Sequence, residues 1–414
     1  MAGELTIDSG DTAWMLISTA LVMMMLLPGL ALFYGGLVRA KNLLSVMSQA
    51  LGIAAVAILM WIGWGYSLAF AGGNALIGDL SKAGLSGIDG ASAWAVPTAG
   101  KGIPELVFVA FQMTFAAITA ALIIGALAER VRFSAIMLFT LLWLTIVYAP
   151  LAHMIWAPDG FLFAFGAIDF AGGTVVHVNS GVAGLVGVYF AGSRIGHLKE
   201  AMPPHSLALT MVGVGLLWVG WFGFNAGSAL EANGLAAVAM VNTFVAPAAG
   251  ALAWMGAERV VSGKPSMLGG ASGAVAGLVA VTPAAGISGP IGAILIGAIT
   301  SVACYGFVGS LKNRLRLDDS LDVFGIHGIG GIVGSIGTAF VALPALGGHG
   351  AQEYSLAWQL LRQVAAVGTA IVWSAVGSAL CFAVVRRLSK LRHDRDSERE
   401  GLDISDHGER AYNY

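Results

Sequence analysis

The chain has 414 residues, of which 57% are hydrophobic and only 11% charged, with a mean hydropathy of +0.82. Soluble domains carry about 25% charged residues, so this composition excludes an ordinary soluble domain and indicates a polytopic membrane protein. A net charge of -2 speaks against a nucleic-acid partner.

Eleven apolar segments read as membrane crossings: 12–35, 43–70, 103–128, 133–154, 173–190, 207–224, 235–255, 268–281, 290–308, 324–343 and 356–385. A crossing takes about 20 apolar residues, and the eighth segment falls short of that, so its ends are the least defined. The expected fold class is an all-α polytopic membrane protein. Cys304 and Cys381 both lie in apolar segments without ligand spacing and read as small core residues.

Basic residues set the orientation. Arg39, Lys41, Arg130, Arg132, Arg194, Lys199, Arg259, Lys264, Lys312, Arg314 and Arg316 fall in one set of loops, and the alternate set holds Lys82 and Lys101. The stretch after residue 385 adds seven more to the first set, eighteen against two. By the positive-inside rule the N-terminus is outside and the C-terminus cytoplasmic, as an odd number of crossings requires. The opening M-A-G-E-L-T-I-D-S-G-D-T lacks the basic stretch and short apolar core of a signal peptide. Either this short acidic segment crosses unaided or a leader was replaced by Met1.

Two stretches repeat. His177 lies in D-F-A-G-G-T-V-V-H-V-N-S-G-V-A-G-L-V-G at 169–187, and His327 in D-V-F-G-I-H-G-I-G-G-I-V-G-S-I-G at 322–337. Each histidine is followed by glycine at +4 (Gly181, Gly331), +7 (Gly184, Gly334) and +10 (Gly187, Gly337). Those spacings keep the glycines on the histidine's own helical face, where small residues let helices approach closely. His177 falls on the fifth segment and His327 on the tenth, so two five-segment halves run in opposite senses. This is an inverted repeat, with a substrate path expected at the interface between halves near the bilayer midplane. The eleventh segment stands outside the repeat. A lone helical histidine is more often a core residue, but an ionisable group inside a membrane is costly and is read as functional. No acidic or cysteine ligand sits in either helix near the histidines, so no metal is expected. Asp169, eight residues before His177, is about 12 Å away along a straight helix and cannot touch it. It reads as an N-cap of the fifth segment, with an electrostatic pull on a passing cation.

Further motifs join these: P-G-L-A-L-F-Y-G-G-L-V-R at 28–39, G-A-L-A-E-R-V-R-F-S-A at 125–135, G-W-F-G-F-N-A-G-S at 220–228 and G-A-V-A-G-L-V-A-V-T-P at 273–283. With D-F-A-G-G-T-V-V-H and D-V-F-G-I-H-G-I-G-G, the chain resembles the bacterial ammonium transporters of the Amt/Mep/Rh family over nearly its whole length. The resemblance implies eleven helices, a homotrimer with one pore per subunit, and conduction of ammonia or ammonium, with methylammonium as a further candidate. It also implies a multi-pass protein of the bacterial inner membrane, surrounded by lipid, with no cofactor and no enzymatic activity.

It assigns residues as well. Trp156 matches the tryptophan of an outer vestibule, where a ring face attracts a cation by about 0.5–2 kcal/mol. Ser228 matches the serine that accepts a hydrogen bond from ammonium there, and Phe111 fits the same vestibule. Phe115 and Phe224 match two stacked rings that close the pore below. Gln112 and Trp221 fall on family positions, Trp221 as a hydrogen-bond partner beside the histidine pair. By spacing alone, Trp156 would be an interfacial belt residue and the phenylalanines ordinary packing faces.

These residues allow selection followed by desolvation. A bare cation entering a narrow apolar channel loses hydration worth many kcal/mol. Ammonium escapes that cost by giving up a proton, and potassium cannot. Neutral imidazoles then offer one donor and one acceptor each, enough to pass ammonia along or relay a proton. Both fates of the proton, staying behind and crossing by its own route, are compatible with this set. Among other classes, a histidine metalloenzyme would need more ligands. A Rhesus-type gas channel tends to lack the tryptophan present here as Trp156, and an ammonium sensor usually carries a signalling domain larger than 386–414.

The expected division is a membrane domain over 1–385 and a cytoplasmic regulatory tail over 386–414. R-R-L-S-K-L-R-H-D-R-D-S-E-R-E, from Arg386, reads as a disordered basic anchor. The ending E-G-L-D-I-S-D-H-G-E-R-A-Y resembles the close of bacterial ammonium transporters. That implies packing on the cytoplasmic loops, coupling between subunits and binding of a PII-type signalling protein. Asp403, Asp406 and Glu409 can pair with basic loop residues such as Arg194, Lys199, Arg259 and Lys264, each exposed pair giving about 0–1 kcal/mol.

Overall fold

The computed structural model describes residues 5–350 and 354–413, so the opening M-A-G-E and the final Tyr414 lie outside the described residues. Eleven helices among the described residues are long and apolar enough to cross a membrane. They are Ser9–Leu37, Ala40–Phe70, Glu105–Leu127, Phe133–Phe165, Gly173–Ala191, Leu207–Gly227, Gly234–Ser262, Met267–Ala284, Pro290–Arg314, Phe324–Val341 and Leu356–Leu388. Helices satisfy their own backbone, which is what lipid demands of a spanning segment.

The ends follow local chemistry. The eighth span begins where Ser266 Oγ accepts from Gly269 N at 2.8 Å, and it closes in a 3-10 turn at Thr282–Ala284. That lengthens the short apolar stretch to 18 residues, enough to cross. The seventh is capped by Asn233 and stopped at Gly263, whose φ of +80° ends the helix. The first is broken at Leu27 (φ -128°, ψ 107°) because Pro28 follows it, and proline drives its predecessor out of the helical region.

The fifth and tenth spans cross at the +4 glycines. Gly181 packs on Gly328, and Gly331 on Val178 and Gly173, with no room for a Cβ at either. The +7 glycines meet the third and eighth spans: Gly184 faces Ala126, and Gly334 faces Ala280. Third to fifth therefore repeats as eighth to tenth, the relation expected of two five-span halves. Outward faces carry exposed Leu51, Leu59, Leu252 and Ile299, apolar surface suited to lipid. On the N-terminal face a small sheet pairs Thr6–Ile7 in parallel with Lys101–Pro104, which also pairs antiparallel with Ala93–Ala95.

The tail is ordered where a disordered anchor is expected from its composition. Arg395–Glu400 and Leu402–His407 form short helices against the loops. Asp403 Oδ1 accepts from Ser45 N at 2.8 Å at the start of the second span, and Asn42 Oδ1 accepts from Leu402 N at 2.9 Å. Asp406 Oδ2 accepts from Phe133 N at 3.2 Å, at the start of the fourth, and lies 2.9 Å from His393 Nε2. Neither helix start has a capping side chain of its own, so the tail carboxylates serve as caps. Among the described residues, none of Asp403, Asp406 and Glu409 pairs with Arg194, Lys199, Arg259 or Lys264. Arg194 is held instead by Asp318 (2.7 Å) and Glu129 (3.3 Å), which lie beside it.

Candidate functional site

Each histidine sits in a wide π-helical turn, His177 within Gly173–Val178 and His327 within Phe324–Gly328. The first, second, fourth and ninth spans carry such turns too, so it is the histidines they hold that single these two out. An aspartate anchors the start of each. Asp169 accepts from Gly172 N (2.9 Å), Thr174 N (2.9 Å) and Val175 N (3.0 Å), the capping role expected of it. Asp319 does the same for Val323 N (2.9 Å), Phe324 N (2.8 Å) and Gly325 N (3.3 Å). Carboxylate-to-N–H bonds of this kind are charge-assisted and strong. The crossing brings His177 Nδ1 within 3.2 Å of His327 Nδ1, with ring centroids 5.2 Å apart. An N···N contact of that length needs one donor and one acceptor, so the two Nδ1 atoms share a single proton. His177 is fully buried, and its Nε2 has no protein partner among the described residues.

An aromatic column rises from this pair. The Phe224 ring lies 6.0 Å from His177 and stacks on Phe115 at 4.2 Å and 11°. Phe115 in turn meets the edge of Trp156 at 5.9 Å and 83°. Beyond the stack is a cavity of about 340 Å³ on the N-terminal face, lined by Trp156, Ser228, Gln112, Phe115, Trp94 and Phe170 among others. Trp156 Nε1 donates to the Asp169 carbonyl at 2.9 Å, which fixes the indole. Ser228 Oγ donates to the Phe224 carbonyl at 2.8 Å, leaving its lone pairs as acceptors. Gln112 Oε1 is buried without a protein partner. On the other side of the histidines a second cavity, about 330 Å³, is lined by Phe33, Glu258, Asp322 and Ile326 among others.

Two residues sit differently from the expectation. Trp221 stacks on His177 at 5.5 Å and 27°, but its Nε1 donates to Thr282 Oγ1 at 2.9 Å and not to a histidine. The ring stacks flat, which aims its edge past the pair at the end of the eighth span. Phe111 is fully buried and packs on Phe115 at 4.9 Å, behind the cavity wall and not in it. Sequence reasoning missed Asp319, although it stands eight residues before His327 as Asp169 does before His177. Asp322, with which the second repeated stretch begins, pairs with Lys312 instead. Trp94, stacked on Phe108 at 4.0 Å, comes from a loop strand and gave no signal.

A charged collar closes the tail face. Glu129 binds Arg39 (2.7 Å) and Arg194, and Asp318 binds Arg194 while its carbonyl accepts from Arg130 (2.8 Å). Burial pushes the Asp318 carboxyl up, but the Arg194 hydrogen bonds and the charges of Arg130 and Arg194 outweigh it and hold it at about 2.

Eleven crossings in an inverted repeat, with an aromatic column over paired histidines, define a multi-pass membrane protein built around an internal path. The chain matches the model of the Ammonium Transporter Family over residues 13–412. It is 47% identical to an ammonium transporter of Aquifex aeolicus, across 100% of this chain and 95% of that protein. It superposes on the crystal structure of Saccharomyces cerevisiae Mep2 with a TM-score of 0.84 at 35% identity, covering 94% of this chain and 88% of Mep2. A solved sensor Amt protein gives a TM-score of 0.88 at 27% identity, covering 96% and 98%. The chain belongs to the ammonium transporter family, which is a family of transporters and not of enzymes.

Proposed function

We propose that the protein moves ammonium nitrogen across a membrane by recruiting ammonium at the outer cavity, deprotonating it there, and passing ammonia through the histidine pair. The observation that carries this reading is the Phe115–Phe224 stack, which stands between the cavity holding Trp156 and Ser228 and the buried histidines. In the cavity the Trp156 ring face supplies a cation–π attraction, and Ser228 and Gln112 supply acceptors. Phe111 braces the stack from behind, and Trp221 holds the His177 ring by stacking. Asp169 fixes both the histidine turn and, through its carbonyl, the Trp156 indole.

Beyond the stack a full charge would be desolvated among aromatic rings, which ammonium avoids by shedding a proton and potassium cannot. The histidine pair then offers an uncharged chain of one donor and one acceptor, suited to ammonia or to a relayed proton. The outer cavity faces outside and the tail faces the cytoplasm of a bacterial cell, by the basic-residue count. The assembly is a homotrimer with a path through each subunit. Residues 1–385 form the conducting domain, and 386–414 a regulatory tail that receives a PII-type protein. Current and ammonium flux recorded together from reconstituted protein test the reading. Flux that ammonium drives and potassium does not is expected, and equal passage of potassium overturns it.

A further inference from the structure

We propose that Gln363 of the eleventh span is a positioning residue for the outer cavity, fixing Trp156 through the loop that carries Asp169. The stretch 166–172 is neither helix nor strand, so its buried backbone groups need partners from elsewhere in the protein. The eleventh span supplies them with two buried glutamines four residues apart, on one helical face. Gln359 Nε2 donates to the Gly166 carbonyl at 3.2 Å. Gln363 Oε1 accepts from Ile168 N at 2.7 Å while its Nε2 donates to the Ile168 carbonyl at 2.8 Å, so one amide grips both sides of that residue. The second donor of Gln363 goes to the Ser335 carbonyl at 2.8 Å, and its second lone pair takes Gln359 Nε2 at 3.1 Å. Two donors and two acceptors are all that a side-chain amide has, and all are used. A flipped amide would set its N–H groups against Ile168 N and its oxygen against two carbonyls, so the partners fix the orientation.

The next residue along the loop holds the outer site. The Asp169 carbonyl accepts from Trp156 Nε1 at 2.9 Å, and the Asp169 carboxylate anchors the turn that carries His177. Phe170, whose N donates to the Pro283 carbonyl at 3.1 Å, lines the cavity beside Trp156. Ser335 in turn lies 3.1 Å, hydroxyl to hydroxyl, from Thr174 in the His177 turn. Gln363 thus stands outside the repeat and joins its two halves, through the approach to the fifth span and through the tenth. An apolar side chain of the same length would fill the space and leave Ile168 N and O unpaired. The loop would then settle elsewhere and carry the Asp169 carbonyl away from the indole.

This role presupposes that the outer cavity takes ammonium, and a double-mutant cycle with Trp156 separates the two readings. Ammonium flux is measured against concentration in reconstituted protein. Gln363→Met should raise the half-saturating concentration at least about fivefold, as loss of paired hydrogen bonds behind the indole requires. Beside Trp156→Leu the same substitution should change it by less than about twofold, because the ring it positions is gone. A merely structural glutamine would lower folded protein and maximal flux and leave the half-saturating concentration alone, which overturns the proposal. An equal factor in both backgrounds overturns it too. If Trp156→Leu by itself changes nothing, the ammonium reading of the cavity falls and this role falls with it. If Gln363→Met does not fold, Gln359→Met removes one partner of the amide and one of the loop. It should shift the half-saturating concentration the same way and lose that shift beside Trp156→Leu, and no shift counts against the proposal.

Discussion

Asp169 and Asp319 are counterparts: each stands eight residues before its histidine, and each spreads its carboxylate over three backbone N–H groups at the start of a π-helical turn. The inverted repeat therefore includes what positions the histidines as well as the histidines themselves. Replacing either aspartate by alanine should cost at least the about 0.5–2 kcal/mol of an ordinary cap and disturb the adjoining histidine. Thermal unfolding and flux of Asp169→Ala and Asp319→Ala check this, and an Asp319→Ala protein with wild-type stability and flux would break the equivalence.

The histidine pair is predicted to govern selectivity. His177→Ala or His327→Ala should abolish transport or alter its selectivity while the protein stays folded. Ammonium flux at wild-type rate with potassium still excluded, in both variants, would refute the role given to the pair.

Recruitment at the outer cavity should show at low ammonium. Trp156→Leu with Ser228→Ala removes the cation–π and hydrogen-bond terms together, each worth about 0.5–2 kcal/mol. The half-saturating concentration should rise by about tenfold or more in the double variant. An unchanged concentration dependence would remove this cavity from the account.

Asp318 should make stability depend on acid pH. Its carboxyl is held at about 2 in the folded protein, below the unfolded value of about 3.9, so the ionised form favours folding. That contribution, about 2–3 kcal/mol, is complete above the unfolded value and is lost as pH falls through about 2. Asp318→Asn should lower the unfolding midpoint at pH 7 and approach wild type at pH 2. A gap of the same size at both pH values would show that the Asp318 charge is not its source.

The tail should regulate without being needed for folding. Its carboxylates cap the second and fourth spans through Ser45 N and Phe133 N, so its removal frees two helix starts on the face where the path ends. Deleting 401–414 should leave a folded trimer whose transport is reduced or no longer answers a PII-type protein. Full-length and truncated forms with equal transport, and with no binding of such a partner, would reduce the tail to an anchor.

Hydropathy, glycine frames and helix caps were legible in the sequence because they are local. A window of about twenty apolar residues must cross, a glycine at +4 lies on the histidine's face, and an aspartate just before a helix finds that helix's free N–H groups. The eleven spans, the inverted halves, the glycine face beside each histidine and the cap by Asp169 follow from these. Partners across helices did not. The third span is apolar on every side and buried over 83% of its most apolar stretch, so no periodicity says which side meets which neighbour. Phe111, on that span, therefore could not be turned away from the cavity, and nothing local on the sixth span tied Trp221 to Thr282, 61 residues away. The π-helical turns rotate each histidine relative to an α-helical count, so the 3.2 Å approach of the two Nδ1 atoms belongs to the assembled structure. Loop charges behave likewise: Arg194 takes Asp318 and Glu129 over the tail acids because folding brings those carboxylates nearest, and a Coulombic attraction follows distance in space, not distance along the chain.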